Sequence, residues 1–196
     1  TNICTINCQF CSFYRPPGHS EVYTQSFEEI SQRISELENI GGTRILMQGG
    51  VNPDLPFEWY EKLIRELRTR HPSIALDCFS PIEIEGIAEV SELSTLEVLQ
   101  RLQKAGIHGL PGGGAEIFSQ KTRDKICRGK INADEWFDIH RQAHELGIPS
   151  NVTMLYGHLE TVEDRVDHLI RVREGQDISS GFVTFIPLAF HPDNTR

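Results

Sequence analysis

The stretch GGTRILMQGGVNPDLPFEWYEKLIRELRTR, residues 41–70, carries the pattern from which the fold can be read. Gly41-Gly42 closes one helical pattern, where a residue with positive φ is wanted. Arg44–Gln48 is a short apolar run of the kind that makes a strand buried on both faces. Gly49-Gly50 breaks it, and Phe57–Arg70 resumes helical periodicity with a charged outer face. The same unit recurs along the chain without repeating its sequence. Further strands are expected at Ile74–Phe79, Ile107–Leu110, Asn151–Leu155 and Phe182–Ile186, their starts about 30 to 44 residues apart.

Helix starts are marked between them. Ser26 with Glu29, Ser94 with Glu97 and Thr161 with Asp164 have capping-box spacing, and Asn132 with Glu135 is a looser version. Gly106 and Gly147 supply stops. Within Leu93–Ala105, apolar residues at 96, 99 and 102 give one buried face. Alternating strands and helices with right-handed crossovers make a parallel sheet. The expected fold is therefore α/β: a (β/α) barrel of the TIM type, or part of one, with outer helices. An open doubly wound sheet is the alternative. In either architecture the loops after the strand C-termini form the active site.

Bulk properties narrow the function. The chain has 196 residues and a formal charge of −9, which argues against a nucleic-acid partner held on a general basic surface. No run approaches the roughly 18 apolar residues of a membrane span, and nothing resembles a signal peptide. The five cysteines do not read as a disulfide framework, so a reducing, cytoplasmic setting is expected. The missing initiator Met and the cysteine cluster at the very start suggest one domain, residues 1–196, cut from a longer chain. A first strand and a C-terminal part would lie outside it.

Cys4, Cys8 and Cys11 follow C-x3-C-x2-C, with Phe10 before the last. Thiolates in a reducing compartment favour zinc or an iron–sulfur cluster. Structural zinc needs four ligands, and His19 could complete a Cys3His site. Cys78 reads as a small core residue, and Cys127 stands in a distant turn with no spacing that recruits it. Three thiolates on a four-iron cluster leave one iron open, the hallmark of a catalytic rather than a closed metal site.

With these residues in hand, the sequence resembles the radical S-adenosylmethionine (SAM) superfamily. The resemblance implies a 4Fe-4S cluster on Cys4, Cys8 and Cys11, with Phe10 beside it and SAM on the open iron. It further implies that Gln48-Gly49-Gly50 meets the SAM amino group, that Glu116 accepts from its ribose, and that Tyr156 and Pro187 wall the adenine. Read alone, the Gln-Gly-Gly element is a tight turn and Glu116 a solvated acid at a helix start. The run Pro111-Gly112-Gly113-Gly114 lacks the Lys-Ser/Thr of a phosphate-binding loop.

A finer resemblance lies in Phe13–His19, Gln48–Pro56, Leu110–Glu116 and Tyr156–Thr161. These look like the dehypoxanthine futalosine cyclases of the futalosine route to menaquinone. That family abstracts hydrogen from C4′ of a nucleoside-like substrate and closes a ring onto its benzoate. A small-molecule substrate and a reductant such as flavodoxin or ferredoxin are the implied partners. Aminofutalosine synthase and FO-synthase-like enzymes are the near alternatives, and a zinc or iron–sulfur binding module is the non-enzymatic one. Candidate catalytic groups are Arg15 for a carboxylate, Asn52 and Asp54 after the glycine loop, and His158 past the fifth strand. Tyr14 and Tyr23 could wall the cavity. His140 and His144 have zinc-compatible spacing but lie on a helix away from the loop face, and Trp59 and Trp136 read as core anchors.

Overall fold

The computed structural model describes residues 1–193 and Thr195. Its strands are β1 (Arg44–Met47), β2 (Ala75–Cys78), β3 (Ser150–Tyr156) and β4 (Phe182–Ala189). The helices before β3 are α1 (Phe27–Asn39), α2 (Phe57–Arg70), α3 (Pro81–Ser91), α4 (Thr95–Ala105), α5 (Gln120–Ile126) and α6 (Ala133–Glu145). Helix α7 (Val162–Ser179) connects β3 to β4.

All pairing between these strands is parallel. β1 runs beside β2 from Arg44↔Ala75 to Met47↔Cys78, and β3 beside β4 from Ser150↔Phe182 to Tyr156↔Ala189. Between the two pairs, residues 109 and 110 bridge Asp77↔Gly109 and Leu110↔Ser150, also in parallel. Spatial order thus follows chain order with no reversal. That is the arc of a barrel; a doubly wound sheet would turn back at a switch point.

The strand expected at Ile107–Leu110 is cut down to these two bridging residues. Pro111 has no N–H to give to a ladder. A side chain at Gly109 would meet Asp77 Oδ1 at 2.7 Å, so the chain crosses here only as glycine. Asn151 N–H donates to Leu110 O and Leu110 N–H to Pro149 O, both at 3.0 Å, and keep the two halves of the arc joined.

The core lies between the arc and its helices. Leu76 and Cys78 are buried there against Phe57, Ile64 and Leu67 of α2 and against Val98, Leu99 and Leu102 of α4, with Ile45 and Met47 packed on the cluster. Each fully buried aliphatic side chain stabilises this layer by about 1.5–3 kcal/mol. The alternate residues face the inside of the arc, where Arg44 pairs with Asp77.

Helix starts follow the expected chemistry. Ser26, Ser94, Asn132 and Thr161 each cap their helix, and Glu29, Glu97, Glu135 and Asp164 return the bond. Ser80 with Glu83 makes a further box at α3. Among the described residues no helix is long and apolar enough to cross a membrane.

Candidate active site at the strand ends

The C-terminal ends of β1 and β2, the loop after Leu110 and the N-terminal segment surround a cavity of about 800 Å³. The N-terminal segment is fastened to the end of β1. Gly50 N–H donates to Thr1 O and Thr5 N–H to Val51 O, both at 3.0 Å. This close approach explains Gly50: a Cβ there would lie 2.1 Å from Ile3 O and 2.8 Å from Cys4 Cβ. Cys4, Cys8, Phe10 and Cys11 all reach the cavity wall. Cys4 Sγ accepts from Ile6 N–H at 3.4 Å and Val51 N–H at 3.3 Å. Burial pushes the Cys8 thiol up to about 12, with the Lys130 ammonium pulling the other way.

Three thiols on one cavity wall match a four-iron cluster with one iron left open, whereas a closed zinc site needs a fourth donor beside them. A four-iron cluster takes each thiolate on its own iron. His19 is exposed, and its Nδ1 accepts from Glu21 N–H at 3.1 Å.

Gln48, Gly49 and Gly50 line the cavity beside the cysteines. Behind them stands Glu83, buried at the start of α3. Its Oε1 accepts from Gly49 N–H at 2.8 Å, and its Oε2 from the Ser80 N–H and hydroxyl at 2.8 and 2.7 Å. Burial raises the carboxyl to about 7 against the pull of those bonds.

The opposite wall is the glycine run, and each glycine answers a different neighbour. A Cβ at Gly112 would meet Asn151 O at 2.5 Å, at Gly113 the Gln48 side chain at 2.1 Å, and at Gly114 Ile82 at 2.3 Å. The wall ends in Glu116, whose φ of 47° is left-handed, a conformation that costs a non-glycine residue about 1–3 kcal/mol and clusters at functional sites. A nearly buried lysine and a fully buried arginine hold it. Lys130 Nζ lies 2.5 Å from Glu116 Oε1. Arg123, 1% exposed, donates to the carbonyls of Gly114, Ala115 and Ile117 at 3.2, 2.7 and 3.3 Å, and to Ile131 O at 2.5 Å. Although burial opposes its charge, Glu116 holds the Lys130 ammonium above the ordinary lysine range.

The cavity wall thus brings together Cys4, Cys8, Phe10, Cys11, Gln48, Gly49, Gly50 and Glu116, with Tyr14 and Tyr23 at its side. Other expected residues lie elsewhere. Tyr156, like Phe10 and Cys11, packs against the buried cluster of Cys8, Ile117, Ile126, Cys127 and Met154. Pro187 sits within β4 opposite Met154, exposed. Arg15 is spent on its own loop, bonding Glu21 at 2.7 Å and Tyr14 O at 2.8 Å. Asn52 is buried and shapes the turn: its Oδ1 takes the N–H of exposed Asp54 at 2.9 Å. His158 is fixed in the loop after β3 by Leu155 O at 3.0 Å and Leu159 N–H at 2.7 Å. His140 and His144 stay in an aromatic cluster with Trp136 and Phe182.

Glu83, Lys130 and Arg123 escaped the sequence reading. The spacing of Ser80 and Glu83 is a capping box and was open to view. Lys130 and Arg123 carry no local signal, because their partners are backbone carbonyls and a carboxylate that only folding brings near.

Residues 1–172 match the Radical SAM superfamily, and the chain belongs to it. The superfamily's cofactors are a 4Fe-4S cluster and SAM, and the thiol set described above suits the first. The chain is 43% identical over 196 residues to the aminodeoxyfutalosine synthase of Thermus thermophilus, covering 100% of this chain and 53% of that protein. It is 45% identical over 195 residues to the cyclic dehypoxanthine futalosine synthase of Halalkalibacterium halodurans, with the same coverage of 100% and 53%. It thus spans about half the length of these relatives. Among solved structures, methylornithine synthase (PylB) superposes with a TM-score of 0.76 at 16% identity, over 99% of this chain and 52% of that one. The hydrogenase maturase HydG of Carboxydothermus hydrogenoformans gives 0.68 at 20% identity, over 97% and 43%. Both likenesses are of fold.

Proposed function

We propose that the protein belongs to the futalosine route to menaquinone and closes the ring of dehypoxanthine futalosine. The observation that carries the reading is one cavity bearing three free thiols, a glycine loop and a buried glutamate. The 45% identity to a cyclic dehypoxanthine futalosine synthase supports the choice of substrate.

In this reading Cys4, Cys8 and Cys11 would hold the 4Fe-4S cluster, with Phe10 beside it. When bound, the cluster and SAM would supply the radical chemistry that the substrate's ring closure needs. The chain's task is to bind, orient and exclude other hydrogen donors. Gln48, Gly49 and Gly50 offer backbone groups to the SAM amino group, and Glu116 accepts from its ribose. Tyr156 at the end of β3 and Pro187 in β4 are read as the wall for the adenine. The electron comes from a small reductant of the flavodoxin or ferredoxin type.

The test uses the whole protein, reconstituted anaerobically with iron and sulfide and reduced. Supplied with SAM and dehypoxanthine futalosine, it should release 5′-deoxyadenosine and a product two hydrogens lighter than substrate by mass spectrometry. Both should vanish in Cys8→Ala. The 43% identity to an aminodeoxyfutalosine synthase favours a second reading. Deoxyadenosine with no lighter product, and turnover of that enzyme's substrates, would decide for it.

A further inference from the structure

We propose that Lys130 is a positioning residue for the nucleoside end of this cavity: paired with Glu116 in the wall, it fixes that carboxylate to accept the hydroxyls of an adenosine ribose. The proposal rests on the reading of Glu116 given above.

Both partners are almost out of solvent, with side-chain exposures of 11% for Lys130 and 10% for Glu116, and 2.5 Å separates Nζ from Oε1. The pair is therefore a charge-assisted bond in a poorly solvated wall, where direction is held tightly. A carboxylate has about four lone-pair sites, so one ammonium leaves capacity for a ligand's donors. Without the ammonium, the carboxylate would lose its one charged partner in this wall and turn to others.

The backbone and side chain of Glu116 are fixed by separate residues. Arg123 gathers the carbonyls of Gly114, Ala115 and Ile117 on either side of it, which holds its left-handed φ of 47°. Lys130 then sets where the carboxylate points. The same ammonium stands 5.3 Å from the centroid of the Phe10 ring, within cation–π range. One side chain thereby links the glutamate to the cysteine loop.

A merely space-filling pair, or a lysine that binds a ligand carboxylate directly, predicts different behaviour. The probe is 5′-methylthioadenosine, which has the ribose but no amino acid, compared with its 2′,3′-dideoxy analogue by calorimetry on the cluster-loaded whole protein. Wild type should prefer the ribose form by about tenfold, as expected for bonds to a charged acceptor. Glu116→Gln should lose that preference, Lys130→Met should lose it equally, and Lys130→Arg should retain most of it. Should Lys130→Met fail to fold, Glu116→Gln is compared with the double variant Glu116→Gln/Lys130→Met, which leaves no unpaired buried charge. The two should bind methylthioadenosine alike, because Lys130 acts only through Glu116.

Full preference for the ribose form in Lys130→Met would overturn the proposal, as would a further loss of affinity in the double variant. Failure of the underlying reading looks different: wild type itself would bind both analogues equally, and Glu116→Gln would change nothing.

Discussion

Gly49 and Glu83 are joined across 34 residues of sequence by a single 2.8 Å bond, backbone N–H to buried carboxylate. Through it the glycine loop after β1 is fastened to the first turn of α3. The same carboxylate closes the α3 capping box with Ser80, so loop and helix share one anchor.

That anchor titrates. Glu83 ionises near 7 in the fold, raised by burial, against an ordinary value of 4.5. The folded state therefore binds more protons than the unfolded chain between those values. Its stabilising advantage is complete at low pH and is lost as pH rises through about 7, a difference of about 3 kcal/mol. Urea denaturation of wild type and Glu83→Gln at pH 5, 6, 7 and 8 checks this. The slope common to both comes from His140, His144 and His168, whose burial lowers their pKa values and favours the fold as pH rises. Against it, wild type should lose stability relative to Glu83→Gln from pH 5 to pH 8.

Gly112 and Gly113 of the opposite wall should not be equally sensitive. At Gly112 a methyl group meets the backbone of Asn151 and Val152 at 2.5 and 2.6 Å, which cannot step aside. Gly112→Ala should cost about 2–3 kcal/mol, in the range of overpacked cores. At Gly113 the obstacle is the end of the Gln48 side chain, which can rotate away. Gly113→Ala should cost less than about 1 kcal/mol. Thermal melts of the two variants, side by side, decide the order.

Gly50 ties stability to metal content. A methyl group there presses on Ile3 O and Cys4 Cβ and should push the first cysteine off the end of β1. Gly50→Ala should retain the fold yet incorporate iron and sulfide at well below the wild-type ratio after anaerobic reconstitution. Cys78→Ala and Cys127→Ala, which alter buried thiols outside the C-x3-C-x2-C set, should load normally. Iron analysis and visible absorbance give the answer.

Arg123 should be the most costly single side chain to remove. Its loss leaves four carbonyls without their donor in a buried site. Arg123→Met should destabilise by about 3–5 kcal/mol, the range for breaking a buried charged network, as read from denaturant midpoints.

Much of this was legible beforehand because it is local. Serine, asparagine and threonine caps fixed where α1, α4, α6 and α7 begin, and apolar runs gave β1, β2, β3 and β4 to within a few residues. Helix α3 escaped because Ile82, Ile84 and Ile87 bury several of its faces, which erases the one-sided periodicity a reader looks for. The run at Ile107–Leu110 looked like a strand by composition, but Gly109 and Pro111 suit a crossing better than a ladder. The cysteines could be found by spacing alone. Lys130 and Arg123 could not, since the pattern that singles them out exists only in three dimensions. Arg15 and His158, singled out by residue type, each form bonds within their own loop in the fold.

Every acceptor of Arg123 lies between residues 114 and 131, so this wall folds around a cation supplied from within itself. Such closeness in sequence makes for early assembly and for a segment that opens as one cooperative unit. Its amide protons should exchange in concert, at a rate set by this one guanidinium rather than by how firmly the rest of the barrel is shut. The wall that ends in Glu116 would then be finished before the N-terminal cysteine segment is fastened to the end of β1.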